Sequence, residues 1–95
     1  MPAYFFMVRE ETTDPEALAE YFPRASLAAH AHPLTPLAAY GALEQLEGAA
    51  IEGAVILEFP DMAAARAWYG SLSYQAALKF RHAGAKATAF FIEGV

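Results

Sequence analysis

His30 and His32 stand two positions apart in the stretch HAHPLTP, and His82 lies far along the chain. Imidazole titrates near neutrality, so His30 is a candidate for proton transfer if a pocket forms around it. Two histidines at i and i+2 converge on a metal only from an extended segment; on a helix they diverge. With no cysteine in the chain and no further carboxylate at ligand spacing, no metal site is expected.

The carboxylates divide in the same way. Glu10 and Glu11 are neighbours at the end of a strand-like run, so they face opposite sides and form no dyad. Glu16 and Glu20, at i and i+4, read as a solvated helix face. Glu58 interrupts an otherwise apolar strand. A carboxylate there needs a partner or water, and Arg66 or Arg81 is the expected partner. Trp68, Tyr69 and Tyr74 could line a cleft between helix and sheet, with Tyr40 opposite. Such walls suit a planar, apolar ligand, although an aromatic stripe at helical spacing is commonly plain core. Trp68 is expected in the core, and Tyr74 is expected to present its hydroxyl. If a ligand site exists, its candidates are Tyr40, Tyr69, Tyr74, Arg66 and His30, for hydrogen bonding, anion pairing and proton transfer. No Gly-rich phosphate loop, serine elbow or dinucleotide fingerprint is present, so no cofactor is expected.

The elements that position these residues centre on Ala54 to Arg81. Val55, Ile56, Leu57 and Phe59 form a β-branched and aromatic strand, stopped by Pro60. Asp61 is an N-cap for a helix through the alanines at 63 to 65. Met62, Ala65, Trp68 and Tyr69 share its apolar face. Gly70 ends that helix, and Ser71 or Ser73 caps a second one, where Tyr74, Ala77, Leu78 and Arg81 line up.

Earlier in the chain, Ala3 to Arg9 reads as a strand with Phe5 and Met7 on one face and Tyr4, Phe6 and Val8 on the other. Thr13-Asp14-Pro15-Glu16 starts a helix with Leu18, Tyr21 and Phe22 as its apolar stripe. Pro23 is expected to break or kink it, with a continuation to about Ala29. His30 to Pro36, with two prolines, reads as a loop. Residues 37–47 are ambiguous. Leu37, Tyr40, Leu43 and Leu46 lie three apart as in a helix, but the topology requires a strand, bent at Gly41. Gly48 to Gly53 is then a hairpin connection. Residues 81–86 lead through Gly84 to a last strand, Thr88 to Glu93, again apolar on both faces.

EFPDMAAARAWY (Glu58 to Tyr69), SLSYQAALKFR (Ser71 to Arg81) and FIEGV (Phe91 to Val95) resemble the bacterial domain of unknown function 1330. AYFF (Ala3 to Phe6) and LEG (Leu46 to Gly48) fit as well, so the resemblance covers most of the chain. HAHPLTPLAAY stands where the family has a Gly-rich start to its second strand. Ala49, Ala50 and Ile51 replace a usual Trp and Pro, and Leu72-Ser73 a usual Pro-Glu. The resemblance implies a dimeric α/β barrel and carries no catalytic residue across. The wider superfamily includes cofactor-independent monooxygenases and isomerases of aromatic or lactone substrates, which the resemblance implies as a class only.

Ninety-five residues with 57% hydrophobic content exceed the ~45–50% of ordinary soluble domains. One ferredoxin-like domain over residues 1–95 is expected: an α+β fold, βαββαβ, with a split second helix. Helices cover one sheet face in that fold, so strands apolar on both faces imply a second copy as the lid. A homodimer is expected, and replacing Phe5 or Phe91 with a charged residue is expected to disrupt it if either faces the partner. A net charge of −5 without a basic run disfavours nucleic-acid and anionic-membrane partners. The N-terminus lacks a signal-peptide pattern and no apolar stretch nears ~18 residues, so a cytoplasmic protein is expected. The expected function is binding of a small apolar or aromatic molecule between helices and sheet. The alternatives are a non-catalytic dimer module whose cleft its own side chains fill, and a cofactor-independent monooxygenase or isomerase.

Overall fold

The computed structural model describes residues 1–95. The elements run β1 (Ala3–Thr12), α1 (Pro15–Ala29), β2 (Thr35–Ala39), β3 (Gly53–Phe59), α2 (Met62–Tyr69), α3 (Leu72–Gly84) and β4 (Ala85–Glu93). The strands form one sheet in the order β2-β3-β1-β4, antiparallel at every pairing. This is the α+β, ferredoxin-like arrangement expected from the sequence. No helix is long and apolar enough to cross a membrane.

Three side-chain caps set the helix starts. Asp14 accepts from the backbone N–H groups of Glu16 and Ala17, with Pro15 in the first turn. Asp61 accepts from Ala64 and Ser71 from Tyr74. Each cap satisfies donors that have no partner inside the helix. The alternation of β1 puts Ala3, Phe5 and Met7 under the helices, where they are buried. Trp68 sits edge-on to Phe5 with centroids 5.0 Å apart and also contacts Phe59 at 5.3 Å. Tyr74, Ala77, Leu78 and Arg81 are all buried on one face of α3, the stripe expected at that spacing. α1 and α3 approach so closely that Gly84 has no room for a side chain. A Cβ there would lie 2.5 Å from the Leu18 backbone nitrogen and 2.8 Å from the Asp14 carbonyl oxygen. The Gly84 carbonyl in turn accepts from the Thr13 and Asp14 N–H groups.

The structure departs from the expected elements in four places. α1 is not broken at Pro23 and runs on to Ala29, where its continuation is expected to end; its packing against α3 outweighs the one backbone bond that proline removes. α3 persists to Gly84 and β4 starts at once at Ala85. There is no separate lead-in. The segment 37–47 is neither a helix nor one long strand. β2 begins within the expected loop, at Thr35, and ends at Ala39. Pro36 is tolerated because β2 is an edge strand, where a missing N–H breaks no ladder on the free side. The bend falls at Tyr40, whose φ is +56°, rather than at Gly41. Residues 40–52 are then irregular, and Gln45 organises their second half. Its side chain donates to the carbonyls of Glu47, Gly48 and Ala49 and accepts from the Ile51 N–H.

The second face of the sheet has no helix on it. Tyr4, Phe6 and Val8 of β1 share it with Ile56 and Glu58 of β3 and with Phe90 and Ile92 of β4. Phe6 and Phe90 are cross-strand partners whose rings stack 5.4 Å apart, 5° from parallel. Phe90 and Ile92 are 48% and 51% exposed. Phe5 and Phe91 lie on the helix side instead, 5.8 Å apart. They are not the residues that a partner on the open face would meet. Glu58 also belongs to this open face, opposite Tyr4 and Thr35, and forms no ion pair with Arg66 or Arg81.

A candidate cleft between α1 and the sheet

A cleft of ≈ 490 Å³ opens between α1 and the sheet. Phe5 and Met7 of β1 and Val55 and Leu57 of β3 form its sheet wall. They follow from the period of two along each strand, which sends alternate side chains toward the helices. Tyr21, Phe22, Ala25 and Ala29 of α1 form the opposite wall, and the two alanines leave the space. Trp68 and Tyr74 close the inner end; His30, His32 and Tyr40 stand toward the mouth.

The inner end holds the polar groups. The hydroxyls of Tyr21 and Tyr74 are 2.9 Å apart and buried. Two hydroxyls share one hydrogen bond, so one O–H of the pair is left without an acceptor. The Trp68 indole N–H, also buried, has no partner either. Buried donors in this state are costly unless something accepts from them. Burial, with Tyr74 alongside, pushes the Tyr21 phenol far above its usual value. Tyr21 therefore stays protonated at neutral pH and acts as a donor.

Tyr40 is held at the mouth from three sides. Its ring lies edge-on to Phe22 at 5.4 Å. The guanidinium carbon of Arg9 is 5.1 Å from its centroid. Beneath it is Gly53, where a Cβ would come within 3.0 Å of the ring. Arg9 is fixed by Glu52 at 3.1 Å, and Glu52 accepts from the Thr12 hydroxyl at 2.6 Å. Those bonds, Thr12 first, hold the Glu52 carboxyl below the usual range. Burial raises the Tyr40 phenol, against the pull of Arg9.

Of the five residues singled out from the sequence, the structure brings Tyr40, Tyr74 and His30 to this cleft. Tyr74 does so differently from expectation, because its hydroxyl is buried against Tyr21 rather than presented to solvent. Tyr69 faces the far side of Trp68, near Phe91. Arg66 is exposed on α2, away from the cleft. His32, Tyr21, Phe22 and the Trp68 indole complete the set. Tyr21 had a sequence signal: a tyrosine on the buried stripe of a helix needs a partner for its hydroxyl. The partner lies 53 positions away, beyond any local pattern. No three His, Cys, Asp or Glu side chains converge anywhere in the chain.

Solved structures share this fold at low sequence identity. RPA0582 of Rhodopseudomonas palustris, a protein of unknown function, superposes with a TM-score of 0.73 at 18% identity, covering 99% of this chain and 82% of that one. A dimeric ferredoxin-like protein of unknown function from Thermobifida fusca gives 0.68 at 18%, over 97% and 90% of the two chains. SnoaB, a cofactor-independent oxygenase from Streptomyces nogalater, gives 0.63 at 11%, over 100% and 95%. At these identities the likeness speaks for the fold alone. No curated protein matches the chain. The family model for the Domain of unknown function (DUF1330) matches residues 2–95, nearly the whole length, and the chain belongs to that family.

Proposed function

We propose that this protein binds a small, largely apolar or aromatic molecule carrying an acceptor oxygen, in the cleft between α1 and the sheet. One observation carries the reading: a cleft of ≈ 490 Å³ with mostly apolar walls ends on two buried residue sets, the Tyr21–Tyr74 pair and Trp68, that hold donors without acceptors. The volume lies in the ~300–1,000 Å³ range of small-molecule sites. A ketone, quinone or lactone oxygen placed at the inner end would accept from a donor of this set, while its ring system lies against Val55 and Leu57. The cleft weighs against a module filled by its own side chains.

Trp68 is the only tryptophan, so its fluorescence reports on the inner end. 1-Tetralone is expected to quench it saturably, and tetralin, of the same shape without the oxygen, to bind roughly tenfold more weakly. Ala25→Phe, which fills the α1 wall, should abolish the effect. Equal affinity for both probes would remove the role given to the donors; absence of saturation, or equal quenching in Ala25→Phe, would remove the site.

The same reading includes assembly. The open sheet face, with Phe6, Phe90 and Ile92, meets its counterpart on a second copy and forms a homodimer. The exposed apolar side chains support it, as does the dimeric state of the Thermobifida fusca protein. A cytoplasmic location accords with the absence of cysteine. A second reading is a cofactor-independent monooxygenase or isomerase. His30 and His32 at the mouth favour it, since they set a proton acceptor beside the cleft.

A further inference from the structure

Arg81 is a buried cation without a counter-ion. It is 4% exposed, its Nε has no hydrogen-bond partner, and none of the eleven acidic side chains pairs with it. Its neighbours are aromatic: the guanidinium carbon lies 5.7 Å from the Tyr21 ring centroid. Taking a charge out of water costs several kcal/mol unless an opposite charge or good acceptors replace the water. The other ion pairs, Arg9–Glu52 and Arg24–Glu20, have partly exposed members. Arg81 is the reverse case, deeply buried with the Tyr74 hydroxyl beside it and no carboxylate.

Beside it is a recess of ≈ 380 Å³ between the end of α3 and β4, separate from the cleft at α1. Arg81, His82 and Lys86 line it with Tyr69, over a floor of Ala85, Ala87 and Ala89. The recess exists because β4 presents alanines there, whereas the same helix-facing row continues as Phe91. Two of the chain's six Lys and Arg residues thus converge with a histidine in a protein of net charge −5, and no carboxylate lines the space.

The geometry points to an oxyanion-binding site in this recess, which takes the carboxylate or phosphate group of a small molecule. Arg81 supplies the recognising group, since the planar fork of its guanidinium matches an oxyanion's paired oxygens and the residue lines the recess. Lys86 and His82, both exposed, act at the rim as attracting charge and added donor. The recess shares none of its lining residues with the α1 cleft.

The Arg81 Nε–H resonance tests this directly, because a buried arginine exchanges slowly enough to be followed by ¹⁵N–¹H correlation spectra. Sodium acetate and inorganic phosphate, each titrated into the millimolar range against chloride at constant ionic strength, are the probes. A saturable shift with acetate alone assigns a carboxylate, with phosphate alone a phosphate, and with both a general oxyanion site. The shift should vanish in Ala87→Leu, which fills the recess and leaves Arg81 in place. Lys86→Glu, a surface change that does not depend on repacking, should weaken binding several-fold. A resonance unmoved by either anion, or one that moves equally in the wild type and Lys86→Glu, overturns the proposal.

Discussion

The hydroxyls of Tyr21 on α1 and Tyr74 on α3 meet at 2.9 Å in the buried end of the cleft and share one hydrogen bond. Removing one of them leaves the other's oxygen buried without that bond. Tyr74→Phe is therefore expected to cost about 1–3 kcal/mol. The double variant Tyr21→Phe/Tyr74→Phe should cost less than the sum of the singles, because it leaves no orphan. Urea titrations of the four proteins check it, and strict additivity would refute the coupling.

Alkaline pH acts through the same pair. The folded pKa of Tyr21 is raised above the usual phenol value of 10.0, first by burial and then by Tyr74. The fold thus prefers the neutral phenol. This contribution is complete below the unfolded value and is lost as pH climbs beyond it toward the folded one. Stability of the wild type should fall above pH ~10, and the fall should be shallower in Tyr21→Phe. Denaturant midpoints taken from pH 8 to 11 would show it; parallel curves would count against it.

Two glycines differ in what a methyl group would strike. At Gly84 the obstacle is the backbone of α1, 2.5 Å away, which cannot yield without separating the helices. Gly84→Ala should lose about 1–3 kcal/mol or more. At Gly53 the obstacle is the Tyr40 ring at 3.0 Å, a side chain that can swing. Gly53→Ala should keep most of the stability but move Tyr40 off Phe22 and Arg9. Thermal melts and the ring-proton shifts of Tyr40 separate the two. A Gly84→Ala protein as stable as wild type would contradict the helix contact.

Assembly turns on the open face of the sheet. Phe90→Glu and Ile92→Glu place charges where β4 is half exposed, so each monomer should still fold. In native mass spectrometry both are expected as monomers, with a dimer for the wild type. Phe5→Glu, by contrast, should unfold the chain, because Phe5 is 3% exposed against Trp68. A wild-type monomer, or dimers from both β4 variants, would remove the proposed interface.

Much of the fold is legible in local patterns. Asp14, Asp61 and Ser71 cap where their side-chain chemistry requires, and the alternation in β1 separates Phe5 and Met7 from Phe6 and Val8. The stripe Tyr74, Ala77, Leu78, Arg81 is buried as its spacing demands. Each of these follows from contacts within four residues, or from the period of one element.

Residues 35–52 resist that reading. Leu37, Tyr40, Leu43 and Leu46 repeat like a helix, yet β2 exists because β3 offers it an edge to pair with. Leu43 and Leu46 end up exposed, in a loop shaped by Gln45. An edge strand takes its conformation from its neighbour, so a local window cannot identify it.

From its sequence alone this chain determines strands β1, β3 and β4, its helix starts, the buried face of α2 and α3, and its likeness to one family. Only the tertiary structure decides that Tyr21 meets Tyr74, that Tyr40 rests on Gly53 beneath Arg9, and that Arg81 is buried with no carboxylate while Arg66 is free. The reason is separation along the chain. Propensity and periodicity act over one or two turns, whereas these contacts arise from how closely α1 packs on α3 and how β1 registers against β3. Such distances become defined only when the whole sheet and its helices close together.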